Sequence, residues 1–153
     1  MSTLLILIVV LVLVVDTALV LPWVWSRRLA AQAEIAVPRI GTLAKVPGGA
    51  IHYTDEGPAD APVVVLIHGL SGQLQNLTYG LSAPLSSDHR VIALDRPGCG
   101  YSERDSDDLA RLPEQARMIG ALQDDLRVPR PPLDGHSLGG AIALAMALDR
   151  PEK

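Results

Sequence analysis

The chain holds a single cysteine, Cys99, which excludes any intrachain disulfide and any cysteine-based zinc cluster and leaves the redox compartment unmarked. Its four histidines, His52, His68, His89 and His136, fall at no metal-ligand spacing of the H-x3-H kind. Basic residues are the minority, 13 Lys and Arg against 17 Asp and Glu, for a formal charge of −4. Beyond residue 28 the balance is −5, with 16 acids against 11 bases, which argues against a nucleic acid or another polyanion as partner. No internal repeat or low-complexity tract follows the first 28 residues. With 48% hydrophobic and 20% charged residues the chain is neither a disordered tail nor a collagen-like fibre, and 153 residues admit one domain at most.

What is present first is a long apolar run. The 22 residues from Leu4 to Trp25 contain only Asp16, Thr17 and Pro22 outside the apolar set. As a helix this run is about 33 Å long, enough to cross a hydrocarbon layer of roughly 30 Å. Sixteen Leu, Ile and Val residues favour insertion by about 0.3 to 0.6 kcal/mol each, against about 3 kcal/mol for Asp16. Trp23 and Trp25 stand where an interfacial aromatic belt belongs, followed by Arg27 and Arg28. No Lys or Arg precedes the run, so the positive-inside rule places Arg27, Arg28, Arg39, Lys45 and the globular part in the cytoplasm. The competing reading is an exported chain with a cleaved signal peptide, for which Ala31-Gln32-Ala33 offers small residues; the uncharged start and the length of the run favour an anchor. The chain therefore divides into a transmembrane anchor over 1–28, a linker over 29–41 that contains Pro38 and Gly41, and a globular part over 42–153.

In the globular part, Thr42 to Val46 and Ala50 to Thr54 flank Pro47-Gly48-Gly49 and predict an antiparallel hairpin at a sheet edge. Pro62 to His68 and Val91 to Leu94 are nearly continuous apolar runs, the pattern of strands covered on both faces. Leu77 to Leu85 holds a short helix weakened by Gly80 and Pro84. Pro113 to Leu126 reads as a helix with Ala116, Ile119, Leu122 and Leu126 on one face, and Leu138 to Leu148 as another, ended by Asp149-Arg150-Pro151. Strands alternating with helices after an edge hairpin imply an α/β sheet with parallel central strands, which binds ligands at the carboxyl ends of those strands.

Gly135-His136-Ser137-Leu138-Gly139 matches G-x-S-x-G, a pattern expected about 0.06 times by chance at this length and composition. A short strand before it and a helix directly after it form the strand, sharp turn and helix of a nucleophile elbow. Ser137 then occupies the tip of a strained turn, and Gly135 and Gly139 avoid a collision of side chains across it. Gly140 eases the approach of the helix, whose N-terminus directs positive potential at a developing oxyanion. A phosphate loop would need a G-x-G-x-x-G fingerprint or a Lys after the glycines, and neither is present.

Three blocks in order, Val63-Val64-Val65-Leu66-Ile67-His68-Gly69-Leu70, Asp95-Arg96-Pro97-Gly98-Cys99-Gly100-Tyr101-Ser102 and Gly135 to Gly139, make the chain from about Ala50 to Lys153 resemble the serine-nucleophile branch of the α/β-hydrolase superfamily, which includes esterases, lipases and peptidase-like enzymes. The resemblance implies a mostly parallel sheet with flanking helices and hydrolysis of an ester, amide or related acyl bond without metal or organic cofactor. It implies Ser137 as nucleophile and the backbone amides of Leu70 and Leu138 as the oxyanion hole. His68 and Gly69 are then structural elements of the turn, and His136 is a packing residue. The block from Asp95 lines the site entrance, and Cys99 is a filler. Glu103, Asp105, Asp107 and Asp108 read as a solvated loop rather than a metal site.

In such enzymes an acid and then a histidine follow the nucleophile, yet only 16 residues follow Ser137, so both are expected beyond Lys153. The chain thus reads as an N-terminal part that is inactive alone. A small-molecule or lipid-like acyl substrate is expected of the complete enzyme, and the alternative is a non-catalytic, membrane-anchored fragment or interaction module. The stretch Arg130-Pro131-Pro132-Leu133-Asp134 departs from an ordinary central strand: its prolines cannot donate to the ladder, and a buried Asp134 would be costly unless paired, so a distorted strand is expected there.

Overall fold

The computed structural model describes residues 2–128 and 131–149 and divides into two units between Arg39 and Ile40. The first unit is helix α1, Thr3–Ala36, which is capped by the Ser2 side chain and contains no buried residue. It is long and apolar enough to cross a membrane. At 34 residues it extends for about 51 Å, well past the predicted 22. The linker expected over 29–41 is therefore corrected: residues up to Ala36 are helical, and the irregular stretch is confined to 37–41. Leu29 to Ala36 reads LAAQAEIA, all good helix formers except Ile35, and an exposed helix has no core face to impose a hydrophobic period. Pro38 disfavours helical backbone at Val37, whose φ of −130° and ψ of 76° end the helix. Near its C-terminal end the Arg27 guanidinium lies 4.8 Å from the Trp23 ring centroid.

The second unit is an α/β sheet. Strands β1 (Thr42–Val46) and β2 (Gly49–Glu56) form the predicted hairpin, closed between Val46 and Gly49. Then come β3 (Val63–Ile67), β4 (Arg90–Leu94), the two-residue β5 (Glu103–Arg104) and β6 (Leu133–Gly135). The order is β1-β2-β4-β3-β6, with β3 parallel to both neighbours and β5 paired to the start of β2. Between β3 and β4, the predicted helix Leu77 to Leu85 is replaced by three pieces: α2 (Leu74–Leu77), a π-helical turn Thr78–Ser82, and α3 (Ala83–Leu85). A 3-10 turn, Asp107–Ala110, precedes α4 (Leu112–Asp125), and α5 (Leu138–Asp149) follows β6. Arg150 and Pro151, expected to end α5, and Arg130 of the proline-rich stretch lie outside the described residues.

The apolar runs divide by strand alternation. Val65, Ile67, Ile92 and Leu94 face α4 and α5 and pack with Ile119, Leu122 and Ile142; Leu66, Val91 and Ala93 face the other way and pack with Leu74. Both faces are thus covered, as continuous apolar runs require. The segment from β3 to β4 covers one face and α4, between β4 and β6, covers the other, so β4 and β6 flank β3 on opposite sides and are reached over opposite faces. The carboxyl end of β3 is therefore a switch point, where the loops after β3, β4 and β6 converge.

Candidate active site

Ser137 lies between the end of β6 and the start of α5 with φ of +53°, in the left-handed region that costs a non-glycine residue roughly 1–2 kcal/mol. Its side chain is exposed, and its hydroxyl makes no hydrogen bond among the described residues. The two flanking glycines are required by different neighbours. A Cβ at Gly135 would meet the Gly139 carbonyl at 2.4 Å, across the turn. A Cβ at Gly139 would instead meet Ile67 O at 2.2 Å and His68 O at 2.8 Å, so Gly139 serves the approach of α5 to β3 rather than relief across the turn. Gly140 has the Gly135 carbonyl 2.9 Å from where its Cβ would stand.

The turn after β3 abuts this serine: a Cβ at Gly69 would lie 3.1 Å from Ser137 Cβ and 2.8 Å from His136 Nδ1. The His136 side chain is exposed, lies against Gly69 and makes no hydrogen bond among the described residues. A residue beside the tip of so tight a turn has no core to enter. Its backbone does have a partner, since the His136 N–H donates to Ile67 O at 3.0 Å. The backbone N–H groups of Leu70, in the turn after β3, and of Leu138 are among those that make no hydrogen bond among the described residues. Leu138 opens α5, where helical geometry leaves the first amides unbonded.

Beneath the turn lies a buried polar network that the sequence reading missed. Asp95 and Arg96, expected at the site entrance, are 1% and 4% exposed, which corrects that placement. Asp95 Oδ1 accepts from the Leu74 N–H at 2.7 Å; Oδ2 accepts from the Tyr101 N–H at 3.0 Å and faces His52 Nδ1 at 2.8 Å. The other His52 ring nitrogen faces the Ile40 carbonyl, so both face acceptors. Ser102 joins them, donating to Asp95 O at 2.8 Å and accepting from the His52 N–H at 2.8 Å. The carboxylate thus ties together β2, the turn after β3 and the loop after β4. Apolar patterning could not reveal this; the available signal was a histidine inside the otherwise apolar Ala50 and Ile51 stretch of β2.

His68 braces the same region from β3. Its Nε2 accepts the Arg96 N–H at 3.0 Å, which assigns the proton to Nδ1, and Nδ1 donates to Gly69 O at 2.9 Å. Burial is the main cause that lowers its pKa below the usual 6.5; the Arg96 charge adds to it, while the Gly69 carbonyl and Asp95 oppose it. Arg96 donates through Nη1 to Gln115 Oε1 at 3.2 Å and through Nη2 to Gly69 O at 3.2 Å. Gln115 is fixed in turn by donation to Ala110 O at 2.6 Å. Cys99 is half-buried, and Glu103, Asp105, Asp107 and Asp108 are exposed. Among the described residues no group of His, Cys, Asp and Glu is arranged to hold a metal ion. None of the four histidines is hydrogen-bonded to Ser137.

Residues 62–153 match the family model described as alpha/beta hydrolase fold. A protein named as a carbamate hydrolase, RutD of Variovorax paradoxus strain S110, is 39% identical over 103 residues, covering 67% of this chain and 39% of that protein. The magnesium-chelatase 30 kDa subunit of Rhodobacter capsulatus is 40% identical over 97 residues, covering 63% of this chain and 34% of that protein. Among solved structures, a variant of the meta-cleavage product hydrolase CumD superposes with a TM-score of 0.67 at 30% identity, covering 74% of this chain and 42% of CumD. The chain therefore spans between 34% and 42% of the length of these three proteins. Family match, identities and sheet order agree that the chain belongs to the alpha/beta hydrolase fold family.

Proposed function

We propose that Ser137 is the nucleophile of a hydrolase that cleaves an ester, amide or related acyl bond through an acyl-enzyme. The observation that carries this reading is a serine with positive φ, exposed at the switch point of the sheet and abutted by the turn after β3, whose Leu70 amide makes no hydrogen bond among the described residues. Ser137 Oγ attacks the acyl carbon and its proton passes to a base; the leaving group departs with a proton, and water then releases the acid and regenerates the hydroxyl. The N–H groups of Leu70 and Leu138 receive the oxyanion. None of the four histidines is hydrogen-bonded to Ser137, so this reading takes the base and its orienting carboxylate from outside the described residues. The names of RutD, a carbamate hydrolase, and CumD, a meta-cleavage product hydrolase, support a small-molecule acyl substrate. Helix α1 supports attachment to a membrane, with the hydrolase unit on the cytoplasmic side by its basic flank, and an apolar or lipid-like substrate.

The second reading is a non-catalytic, membrane-anchored interaction module, favoured by the fact that none of the four histidines is hydrogen-bonded to Ser137. A fluorophosphonate probe separates the two readings. The protein made from its complete coding sequence is expected to be labelled, and Ser137→Ala is expected to abolish labelling. Equal labelling of parent and Ser137→Ala excludes this nucleophile, and an unlabelled parent favours the module.

A further inference from the structure

We propose that Arg96 is a positioning residue, which acts through the Gly69–Leu70 peptide to aim the Leu70 N–H at the oxyanion. The inference rests on the reading of Ser137 as nucleophile and names a residue that reading does not use.

Three donors converge on the Gly69 carbonyl oxygen: His68 Nδ1 at 2.9 Å, Arg96 Nη2 at 3.2 Å and the Gly72 N–H at 3.3 Å. The peptide that carries this carbonyl carries the Leu70 N–H on its other side. No cis peptide occurs among the described residues, so the two groups point in opposite directions across one rigid plane. Holding the oxygen on the Arg96 side therefore holds the N–H on the side away from it. Gly69 is also the residue whose missing Cβ leaves contact distance to Ser137. A rotation of this plane would carry the N–H away from any oxyanion formed at the serine.

The second effect is electronic. A carbonyl that accepts from a guanidinium and two further donors is polarised, and polarisation passes through the amide to make its N–H a better donor. A cation serves this better than a neutral group, and here the cation is kept at a cost. Arg96 is 4% exposed, and its two side-chain hydrogen bonds go to uncharged acceptors, Gln115 and Gly69. Its Nε is buried with no hydrogen-bond partner among the described residues. A guanidinium held this way contributes little to stability, because desolvation of the charge is not offset by a paired carboxylate. Its placement is understandable if the Gly69 carbonyl is what it is there to hold.

The test uses the protein made from its complete coding sequence, with fluorophosphonate labelling rate, ester kcat and KM, and the affinity of a boronic acid that forms a tetrahedral adduct. Arg96→Lys keeps the charge but loses the fork that reaches Gln115 and Gly69 together. The expected result is a loss of roughly 10- to 100-fold in labelling rate and kcat with KM unchanged, less than the 10²–10³ seen when an oxyanion donor is deleted outright. Boronate affinity should fall by the same factor, a readout that a merely structural role would not couple to kcat. Gln115→Ala, which keeps Arg96 but frees Nη1, should give a smaller loss in the same quantities and serves alone if Arg96→Lys does not fold. A labelled parent whose folded variants keep the parental rate overturns this inference only. An unlabelled parent overturns the nucleophile and the inference together.

Discussion

The positive φ of Ser137 makes stability and activity pull in opposite directions at one residue. Left-handed backbone costs a residue with a Cβ about 1–2 kcal/mol relative to glycine. Glycine, in return, gives the unfolded chain additional freedom and so costs about 0.4–1 kcal/mol. The net expectation is that Ser137→Gly stabilises the protein by about 0.5–1 kcal/mol relative to Ser137→Ala, or roughly 2–8 °C in melting temperature for a unit of this size. The comparison with alanine is the informative one. The Ser137 side chain is exposed and makes no hydrogen bond among the described residues, so alanine removes the hydroxyl at little cost and keeps the strain, whereas glycine removes both. Thermal unfolding of the three proteins in one detergent should rank glycine above alanine, with alanine close to the parent, while neither variant reacts with a fluorophosphonate. A glycine variant that melts at or below the alanine variant refutes the idea that this turn stores strain.

Other positions give sharper tests of the same architecture. Gly139→Ala should destabilise by more than about 3 kcal/mol, because its Cβ meets backbone oxygens that cannot rotate away; Gly80→Ala, whose Cβ meets nothing within 4 Å, should stay within about 0.5 kcal/mol, both read by urea unfolding. Asp95→Ala should cost about 3–5 kcal/mol in the same assay, since it leaves the Leu74 and Tyr101 amides and His52 without their acceptor; a loss under 1 kcal/mol would contradict the network. His68, held neutral mainly by burial, gives a pH dependence of definite sign. Above pH 6.5 it is neutral both folded and unfolded; as pH falls from 6.5 towards its lowered folded value, the unfolded chain takes up the proton first, and stability declines over that interval. The urea midpoint of His68→Gln, compared with the parent across pH 7.5 to 4.5, should lose this slope; an unchanged slope assigns it elsewhere.

The sequence exposes most clearly what apolar patterning encodes. Strands β3 and β4 are legible because Val63 to Ile67 and Val91 to Leu94 are unbroken apolar runs, and α4 because Ala116, Ile119 and Leu122 recur at helical spacing and all face the core. The glycines of the serine turn are legible as a motif, but not the reason for each, since Gly139 is set by β3, some 70 residues earlier in the chain. Residues 29–36 misled for the opposite reason: helix propensity without a buried face leaves no period to detect. Asp95 and Arg96 misled because charged residues in a glycine-rich loop after a strand read as the lining of a site entrance, and only the folded chain brings His52, 43 residues upstream, onto Asp95.

The proline-rich approach to the serine shows how little strand such a turn needs. Pro131 and Pro132 lack the N–H to donate to a ladder, but they retain carbonyls, and the Val65 N–H donates to Pro132 O at 3.0 Å. From there β6 runs three residues, with Leu133, Asp134 and Gly135 opposite Val65, Leu66 and Ile67. The His136 N–H continues the pairing onto Ile67 O. The distortion expected of the prolines takes the form of a short strand, and the cost expected of a buried Asp134 does not arise, because Asp134 is exposed. Three paired residues and the two bonds that flank them fix the height of Ser137 against the end of β3, and Gly139 fixes its lateral approach. The prolines thus sit where only their carbonyls are asked for, and the register that sets the serine is carried by backbone groups on either side of residues whose side chains contribute nothing to it.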